Sequence, residues 1–572
     1  MRHNRSRFTA SLIALAIGLT AFPVQAAAST TVKFHFKPAV SNVKQWRIWA
    51  WDDNNPGKLY DFTGTDGFGK TLAISFPRTV SKVGFIVTVD NIDWVKDVEM
   101  DRYLNNPGTN SEVWLRSGDE RIFTTLVSAS NPGPQPKPAQ PSWLNDAVIY
   151  EVNLRQYTSA GTFRAFATQL PRLKALGVDV LWLMPIYPIS KVKRSGKLGS
   201  PYAPSNYQAV NPEFGTAADF KYLVTQAHSQ GFKVVLDWVA NHTGWDHTWI
   251  KAHKDWYTQD VNGNITIPAG TNWLDVADLN YSNSSLRSAM ISAMKYWVNT
   301  YGVDGFRCDY ASGAPTSFWE SASKQLNAIK PMFMLAEDDS EPGLLSSAFV
   351  ANYAMNLNGM GPTAGLMYDI ARGSATKNDF KMAVLRLKSW YPSQTFPMVY
   401  ITNHDQNAWW GTEFEKFGNS VEQLAALSFV YAGIPMLYSG QEVGFNRRLD
   451  FFNKDTITWP TTSKWTPFYQ KLIDLKRKNS ALFNGTSGGD MVLLSNSNDD
   501  VVSFSRTKGS NKVLMLLNLS ATAQTTTVTT GLASTYLYRY SDGTKVLVGN
   551  QLTLTLPSRG YAIYSTVASS VK

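Results

Sequence analysis

The sequence predicts an α/β protein built on a (β/α)₈ TIM barrel, with a β-sandwich module before the barrel and a β-sandwich domain after it. Two observations predict the barrel. Between residues 143 and 484, strand-like apolar runs alternate with helix-like stretches, the pattern of parallel strands joined by crossover helices. The runs are continuous and not alternating, as parallel strands buried on both faces are. They are Val148–Val152, Val178–Met184, Val234–Val239, Val303–Cys308, Phe333–Ala336, Met398–Ile401 and Ile434–Tyr438.

The segments on either side of the barrel predict β structure. Residues 30–128 contain short alternating runs, such as Val32–Phe36 and Gly84–Val89, separated by turns rich in Asn, Asp, Gly and Pro. A Pro-rich stretch at 129–142 predicts a stiff, extended linker. Residues 485–572 return to short β runs rich in Thr, Val and Tyr, which favours a small C-terminal sandwich.

The N-terminus has the pattern of a secretory signal peptide. Arg2, Arg5 and Arg7 precede the apolar run Leu12–Phe22, and Val24–Ala26 provides a cleavage site of small residues. The apolar run is too short to span a bilayer comfortably, and no later segment has the length and apolarity of a membrane helix. We therefore expect residues 1–26 to be removed and the protein to be exported to the periplasm or the extracellular medium.

Composition limits the classes of function. A chain of 572 residues is too long for a single core, and its one cysteine, Cys308, excludes an internal disulfide. The net charge of +10 comes from scattered positive residues, which favours a solvated basic surface over a nucleic-acid partner. No partner protein is evident. The 19 Trp residues fit either a large core or flat surfaces for stacking on sugars, and composition does not decide between these.

Polar side chains follow several of the predicted barrel strands. Catalytic residues of such barrels lie at the carboxyl ends of the strands. A single polar residue there could be a helix cap or a loop salt bridge, but a series at successive strand ends predicts one common site. The series is Asp237, Asn241 and His242 after the third strand, Arg307 and Asp309 at the fourth, Glu337 at the fifth, and His404 and Asp405 after the seventh.

These residues lie in motifs that resemble those of the α-amylase family, glycoside hydrolase family 13. The order and spacing of the motifs are more specific than any one of them, and the match covers about residues 145–480. Four ordered motifs are Asp237–His242, Gly305–Asp309, Met334–Glu337 and Asn403–Asp405, and two further family segments resemble Gly199–Tyr207 and Trp273–Asn280.

The resemblance implies a retaining glycoside hydrolase with three catalytic carboxylates. Asp309 matches the nucleophile, Glu337 the acid/base, and Asp405 the third carboxylate, which binds sugar hydroxyls. Arg307 precedes Asp309 by two residues on one strand, so both side chains share a face and Arg307 can keep Asp309 ionised. The acid role of Glu337 requires a raised pKa.

The resemblance also implies substrate-binding residues. His242 and His404 match residues that bind sugar hydroxyls beside the cleavage point, and Tyr202 matches an aromatic platform beneath the reacting sugar. Asp237 is expected to be structural.

The sequence departs from the family pattern after the nucleophile. Many members carry Lys-His at the positions of Ser312 and Gly313, a pair that contributes to product-side binding and to a calcium site. Asn241 and Asp278 do match calcium-binding positions. The resemblance therefore implies no required cofactor and leaves a structural calcium ion as an open question.

The N-terminal module is similar to the starch-binding modules of pullulanases. The similarity rests on Trp46, Trp49, Trp51, Trp94, Lys96 and Asp97. Trp49 and Trp51 alternate along a strand and share one face, so they either form a glucan platform or fill the sandwich core. Debranching pullulanases carry a Tyr-Asn-Trp-Gly segment before the barrel motifs, and its absence here argues against a dedicated α-1,6 enzyme.

Three functions fit the sequence. The first is hydrolysis of α-1,4-glucosidic bonds in starch or maltodextrins. The second, within the same family, is transglycosylation or a preference for cyclodextrin or pullulan. The third is a non-catalytic glucan-binding protein, against which the intact Asp309, Glu337 and Asp405 argue. In each case the partner is an α-glucan.

Overall fold

A computed structural model describes residues 29–571 except 39–45, 54, 90–94, 98–100, 118, 131–139, 342, 360, 362–363 and 393. The predicted signal peptide (1–26), most of the predicted linker (129–142) and Trp94 lie outside the described residues. The chain divides into two compact units, one formed by most of the residues up to 131 and the other by most of the residues from 132 onward.

The N-terminal unit contains two β-sheets. Their strand orders are β10-β9-β1-β5-β4 and β3-β2-β6-β7, with β8 paired to β6. The strands are β1 (Thr30–Lys37), β2 (Trp46–Asp52), β3 (Asn55–Asp61), β4 (Gly64–Thr65), β5 (Lys70–Phe76), β6 (Lys82–Val89), β7 (Val95–Lys96), β8 (Arg102–Asn105), β9 (Asn110–Arg116) and β10 (Asp119–Phe123), followed by helix α1 (Leu126–Ser130).

Strand β2 shows which tryptophans belong to the core of this unit. Trp46, Ile48 and Ala50 are buried in the hydrophobic core, whereas Trp49 and Trp51 are half-buried. Because successive side chains of a strand point to opposite faces, Trp49 and Trp51 project from the outer face of the sheet. They do not fill the sandwich core.

Eight parallel strands close into the barrel that the sequence predicts. They are β11 (Ile149–Val152), β12 (Val180–Leu183), β13 (Lys233–Val239), β16 (Gly305–Asp309), β17 (Phe333–Ala336), β18 (Ala351–Tyr353), β19 (Phe396–Val399) and β20 (Ile434–Tyr438). The sixth, β18, was not predicted because three residues are too few to form a recognisable apolar run. The seventh begins two residues earlier than predicted, because Pro397 lies inside it and a proline is unusual within a strand.

Helices surround the barrel. They are α2 (Leu154–Tyr157), α3 (Phe163–Ala167), α4 (Leu170–Leu176), α5 (Ala217–Ser229), α6 (Thr248–Ala252), α7 (Ser284–Tyr301), α8 (Thr316–Asn327), α9 (Gly343–Ser347), α10 (Met355–Asn358), α11 (Leu366–Arg372), α12 (Lys377–Trp390), α13 (Glu413–Phe417), α14 (Val421–Val430) and α15 (Trp465–Lys478). Within the described part of the chain, no helix is both long enough and apolar enough to cross a bilayer.

A long excursion leaves the barrel between β13 and α7. It contains a two-stranded ladder of β14 (His242–Gly244) and β15 (Val276–Asp278), in which His242 pairs with Asp278. Helix α7 then starts at a cap in which the Asn283 side chain accepts from the amides of Ser285 and Leu286. The excursion thus occupies residues 240–283, between the end of β13 and the start of α7.

The C-terminal domain is a sandwich packed on the barrel. Its sheets have the orders β21-β22-β23-β28-β25-β26 and β24-β27. The strands are β21 (Met491–Leu493), β22 (Val501–Lys508), β23 (Asn511–Asn518), β24 (Gln524–Thr529), β25 (Thr535–Arg539), β26 (Lys545–Val548), β27 (Gln551–Leu556) and β28 (Tyr561–Ser565). Phe504 of β22 stacks on Phe380 of α12 with ring centroids 5.6 Å apart, so barrel and sandwich share one core.

Candidate active site

One guanidinium joins carboxylates from three neighbouring strands. Arg307 is fully buried. Its Nη1 donates to Asp237 Oδ1 at 2.7 Å and to Asp309 Oδ1 at 3.1 Å. Its Nη2 lies 2.7 Å from Glu337 Oε1. Asp309 and Glu337 are therefore separated by no more than the span of one guanidinium and its two ion pairs.

Further contacts fix the position of this arginine. Asp237 is fully buried and its Oδ2 accepts from Trp182 Nε1 at 3.1 Å and from the Tyr202 hydroxyl at 3.0 Å. Arg307 Nε donates to the Tyr353 hydroxyl at 3.0 Å. Asp237 thus orients the arginine and the aromatic residue beside it, which agrees with the structural role expected for it.

Burial sets the protonation of the carboxylate pair. It raises the pKa of Glu337 and, together with the negative charge of Glu337, raises the pKa of Asp309 well above its ordinary range. The positive charge of Arg307 acts against this rise in both. Two carboxylates that repel each other in a buried site favour a state in which they retain one proton, and a general acid requires such a proton.

His404 is held as a cation by two carboxylates. Its Nδ1 lies 2.5 Å from Glu151 Oε1, and its Nε2 lies 3.4 Å from Asp405 Oδ2. Burial lowers the pKa of His404, but the charges of Asp405 and Glu151 outweigh burial and raise it to about 9. The Tyr202 hydroxyl, 2.8 Å from Nε2, donates to Asp237 and can accept from the imidazolium. His404 is therefore a hydrogen-bond donor at neutral pH.

His242 is neutral and engaged within the protein. Burial lowers the pKa of His242 to about 4. Its Nε2 lies 3.0 Å from the backbone carbonyl oxygen of Tyr202, and its Nδ1 lies 3.1 Å from the side-chain nitrogen Nδ2 of Asn241. A sugar hydroxyl bound by His242 would have to share or displace one of these bonds.

The predicted residues surround one cavity of about 510 Å³. Tyr202, His242, Asp309, Glu337, His404 and Asp405 all line it, and Arg307 lies buried behind them. Aromatic side chains form two groups in the same lining. We call Trp273 and Tyr310 the aromatic pair, and Trp409, Phe451 and Phe452 the aromatic triplet. Trp49 and Trp51 belong to the N-terminal unit.

Sequence reasoning missed several residues of this site. Glu151 could have been found, because a carboxylate interrupts the otherwise apolar run of the first barrel strand. Tyr353 could not, since its strand was not recognised. The aromatic triplet lies in segments without a periodic pattern, so nothing in the sequence places it at the cavity.

The side chains give little support for a calcium site. Among the residues that the structure describes, no group of three or more His, Cys, Asp or Glu side chains could hold a metal ion. Asn241 and Asp278 offer one amide and one carboxylate, whereas calcium takes six to eight oxygen ligands. A calcium ion beside these two residues would need most of its ligands from backbone carbonyls and water.

Comparison with known proteins identifies related sequences. A family model described as "Alpha amylase, catalytic domain" matches residues 153–327, and one described as "Bacterial pullanase-associated domain" matches residues 30–124. An α-amylase (MalA) from Haloarcula japonica is 25% identical over 468 residues, 76% of this chain and 63% of that protein.

Solved structures give a closer match. The crystal structure of an α-amylase from Lactobacillus plantarum is 30% identical, with a TM-score of 0.65, and the alignment covers 74% of this chain and 99% of that one. A noncanonic maltogenic α-amylase from Thermotoga neapolitana is 29% identical, with the same TM-score and the same coverage. The chain therefore belongs to the α-amylase family, whose members hydrolyse or transfer the glucosyl units of α-glucans.

Proposed function

We propose that the protein is an exported retaining hydrolase of α-1,4-glucosidic bonds in starch or maltodextrins. The contact of Arg307 with both Asp309 and Glu337 carries this proposal. A retaining enzyme needs a nucleophile and an acid/base only about 5 Å apart. The pairing of both carboxyl groups with one guanidinium, at the carboxyl ends of neighbouring barrel strands, supports such a short separation.

The first chemical step forms an ester. Asp309 attacks the anomeric carbon of the bound sugar while Glu337 gives its proton to the departing glycosidic oxygen. The amide of Tyr310 donates to Glu337 Oε2 at 2.9 Å and keeps the carboxyl group in place. The Arg307 guanidinium stabilises the carboxylate form of Asp309.

The second step hydrolyses the ester. Water attacks the anomeric carbon, Glu337 accepts the proton of this water, and Asp309 leaves as a carboxylate. Asp405 and the cationic His404 bind hydroxyls of the reacting sugar, and Tyr202 supports its ring. His404 donates and Asp405 accepts, so together they can hold two hydroxyls in defined directions.

The N-terminal module supplies starch binding in this proposal, through the outward faces of Trp49 and Trp51. Each ring lies close over a glycine: a Cβ atom added to Gly57 would lie 1.9 Å from Trp49 Nε1, and one added to Gly84 would lie 2.2 Å from Trp51 Cε2. Flat rings on the outer face of a sheet suit stacking on glucose units.

The stereochemistry of the first product tests the proposal. With maltopentaose, proton NMR should detect α-anomeric product before mutarotation, and soluble starch should give short maltodextrins. Asp309→Asn and Glu337→Gln should each lower kcat by about a thousandfold or more. Asp275→Asn, which removes a carboxylate of the same cavity that does not contact Arg307, is the matched control. Initial release of the β-anomer would refute the retaining mechanism.

A further inference from the structure

The loop between β12 and α5 concentrates four cations in a short segment. Lys191, Lys193, Arg194 and Lys197 fall within residues 191–197, which we call the basic loop. All four residues are exposed. None of them forms an ion pair with a carboxylate in the part of the chain that the structure describes. Like charges placed so close together repel one another and attract anions.

The backbone of the basic loop is fixed to its surroundings at both ends. At its start, the amide of Lys191 donates to Asp246 Oδ2 at 2.8 Å. Just beyond its end, the amide of Leu198 donates to the carbonyl oxygen of Phe452, a member of the aromatic triplet, at 3.0 Å. A Cβ atom added to Gly196 would lie 2.5 Å from Phe452 Cβ, so loop and triplet are in close contact. The loop therefore holds its charges beside the cavity.

The side chains of the two central cations extend along the edge of the cavity. Arg194 lies over Gly199, because a Cβ atom added to this glycine would lie 2.7 Å from Arg194 Cγ and Cδ. The next residue, Ser200, lines the cavity. The Lys193 ammonium lies 3.5 Å from the centre of the Trp245 ring.

Trp245 connects the basic loop to the other end of the cavity. Its Nε1 donates to the carbonyl oxygen of Leu274 at 2.9 Å. The neighbours of Leu274 along the chain, Trp273 of the aromatic pair and Asp275, both line the cavity. The basic loop therefore borders the cavity between the aromatic triplet and the segment that carries Trp273.

The interior of the cavity repels anions, in contrast to this edge. Among the described residues that line it, the only cationic side chain is that of His404, and six residues carry carboxyl groups: Asp275, Asp309, Glu337, Asp338, Asp339 and Asp405. A neutral glucan offers nothing that four cations would bind. A phosphate monoester carries about −1.5 to −2 charges at pH 7 and three acceptor oxygens, which Lys and Arg bind well. A phosphorylated glucan fits both surfaces, with neutral glucose units in the cavity and the phosphate at its edge.

We propose that the basic loop is a phosphate-binding site through which the enzyme selects α-glucans that bear phosphate monoesters. This inference rests on the proposed function. The phosphate ester is bound and not cleaved, and the glucosidic bond is hydrolysed at Asp309 and Glu337 as in a neutral glucan. Lys193, Arg194 and Lys197 supply the donors, and the fixed backbone of the loop keeps them in place for the ligand.

Competition between phosphorylated and neutral maltoheptaose tests this. The phosphorylated substrates each carry one 6-phosphate monoester, at a different glucose unit in each isomer. At low salt, wild-type kcat/KM for the best-cleaved isomer should exceed that for neutral maltoheptaose, and added NaCl should lower this ratio because salt screens exposed charges. A triple variant should lower the ratio about tenfold, as expected for the loss of three exposed charge pairs. Its substitutions are Lys193→Gln, Arg194→Gln and Lys197→Gln.

The matched control removes the same amount of charge from exposed lysines on three barrel helices outside the cavity lining, by Lys221→Gln, Lys324→Gln and Lys381→Gln. It should leave the ratio unchanged. An equal fall in both triple variants, an unchanged ratio in the basic-loop variant, or a wild type that prefers the neutral substrate to every isomer would overturn the phosphate site.

Two further outcomes are distinct. If the basic-loop variant loses binding to phosphatidylglycerol vesicles while its substrate ratio is unchanged, the loop binds a membrane surface and the proposal is overturned. Wild type that cleaves neither neutral nor phosphorylated maltoheptaose would instead overturn the proposed function, and this inference with it.

Discussion

At the scale of single residues, the site is organised by two cations among buried carboxylates. Arg307 forms ion pairs with Asp237, Asp309 and Glu337, and His404 forms ion pairs with Glu151 and Asp405. Buried charges persist only where partners of opposite sign compensate them, so removing one partner alters the protonation of the others. The protonation state of His404 therefore depends on the negative charge of Glu151.

Replacing Glu151 by Gln should shift the alkaline limb of the pH profile toward lower pH. The pKa of His404 is raised to about 9, so its cationic form and the stability it contributes are complete below the ordinary histidine pKa and are lost as pH rises through about 9. Without the charge of Glu151 that loss should begin about one pH unit lower. The measurement is kcat/KM against pH.

The control for this prediction is Asp304→Asn, which removes the carboxylate partner of His228, 2.7 Å away and outside the cavity lining. It should leave the alkaline limb in place. An unchanged limb in Glu151→Gln would show that the charge of His404 does not limit activity.

The sequence predicts only some of the residues that form the active site. Asp309, Glu337 and Asp405 follow recognisable apolar runs, so their common placement at one rim could be inferred from strand order alone. Glu151 interrupts an apolar run and could have been noticed, whereas Tyr353 lies in a strand of three residues that the sequence pattern does not reveal. The closeness of Gly313 to the Tyr310 ring, which would lie 2.8 Å from a Cβ atom added to the glycine, depends on the fold in three dimensions, which no spacing along the chain encodes.

At the scale of elements, strand pairing explains the surface of the N-terminal module. Trp51 of β2 is paired in register with Gly84 of β6, and Trp49 lies over Gly57 of β3. The absence of a Cβ atom on these glycines lets the rings approach the sheet closely. The sequence predicted that the two rings share a face, but it did not show that glycines on neighbouring strands support them.

A side chain placed under one ring should therefore weaken starch adsorption. Gly84→Val should displace Trp51 and reduce binding to granular starch about fivefold, the effect of one lost stacking contact. Hydrolysis of short maltodextrins should not change. Gly67→Ala is the control, since a Cβ atom there meets nothing within 4 Å. Unaltered adsorption of well-folded Gly84→Val would contradict the proposed platform.

At the scale of the whole molecule, the barrel and the C-terminal sandwich are interdependent. Arg506 of β22 is buried and donates to the carbonyl oxygens of Val430 and Tyr431 at the end of α14, at 3.2 and 3.0 Å. It also donates to the carbonyl of Phe483 at 2.8 Å. The sequence predicts two domains meeting near residue 484 but contains no signal for this shared core.

Arg506→Ala should destabilise both domains together. Loss of the guanidinium leaves buried carbonyls unpaired, at a cost of about 3 kcal/mol in the free energy of unfolding. Differential scanning calorimetry should show one transition for barrel and sandwich, shifted to lower temperature. Arg539→Ala, at an exposed ion pair with Asp542, should shift it little. A separate low-temperature transition of the sandwich alone would contradict the shared core.

The central claim is that Asp309 is the nucleophile and Glu337 the acid/base, and trapping the intermediate tests it most directly. Glu337→Gln keeps the shape of the site but cannot assist water, so with a glucosyl fluoride, whose leaving group needs little protonation, the ester should form and accumulate. Mass spectrometry of the digested protein should find the adduct on the peptide containing Asp309, and Asp309→Asn should form none. An adduct on Glu337 in the wild type, or full starch-hydrolysing activity in Asp309→Asn, would contradict the assignment.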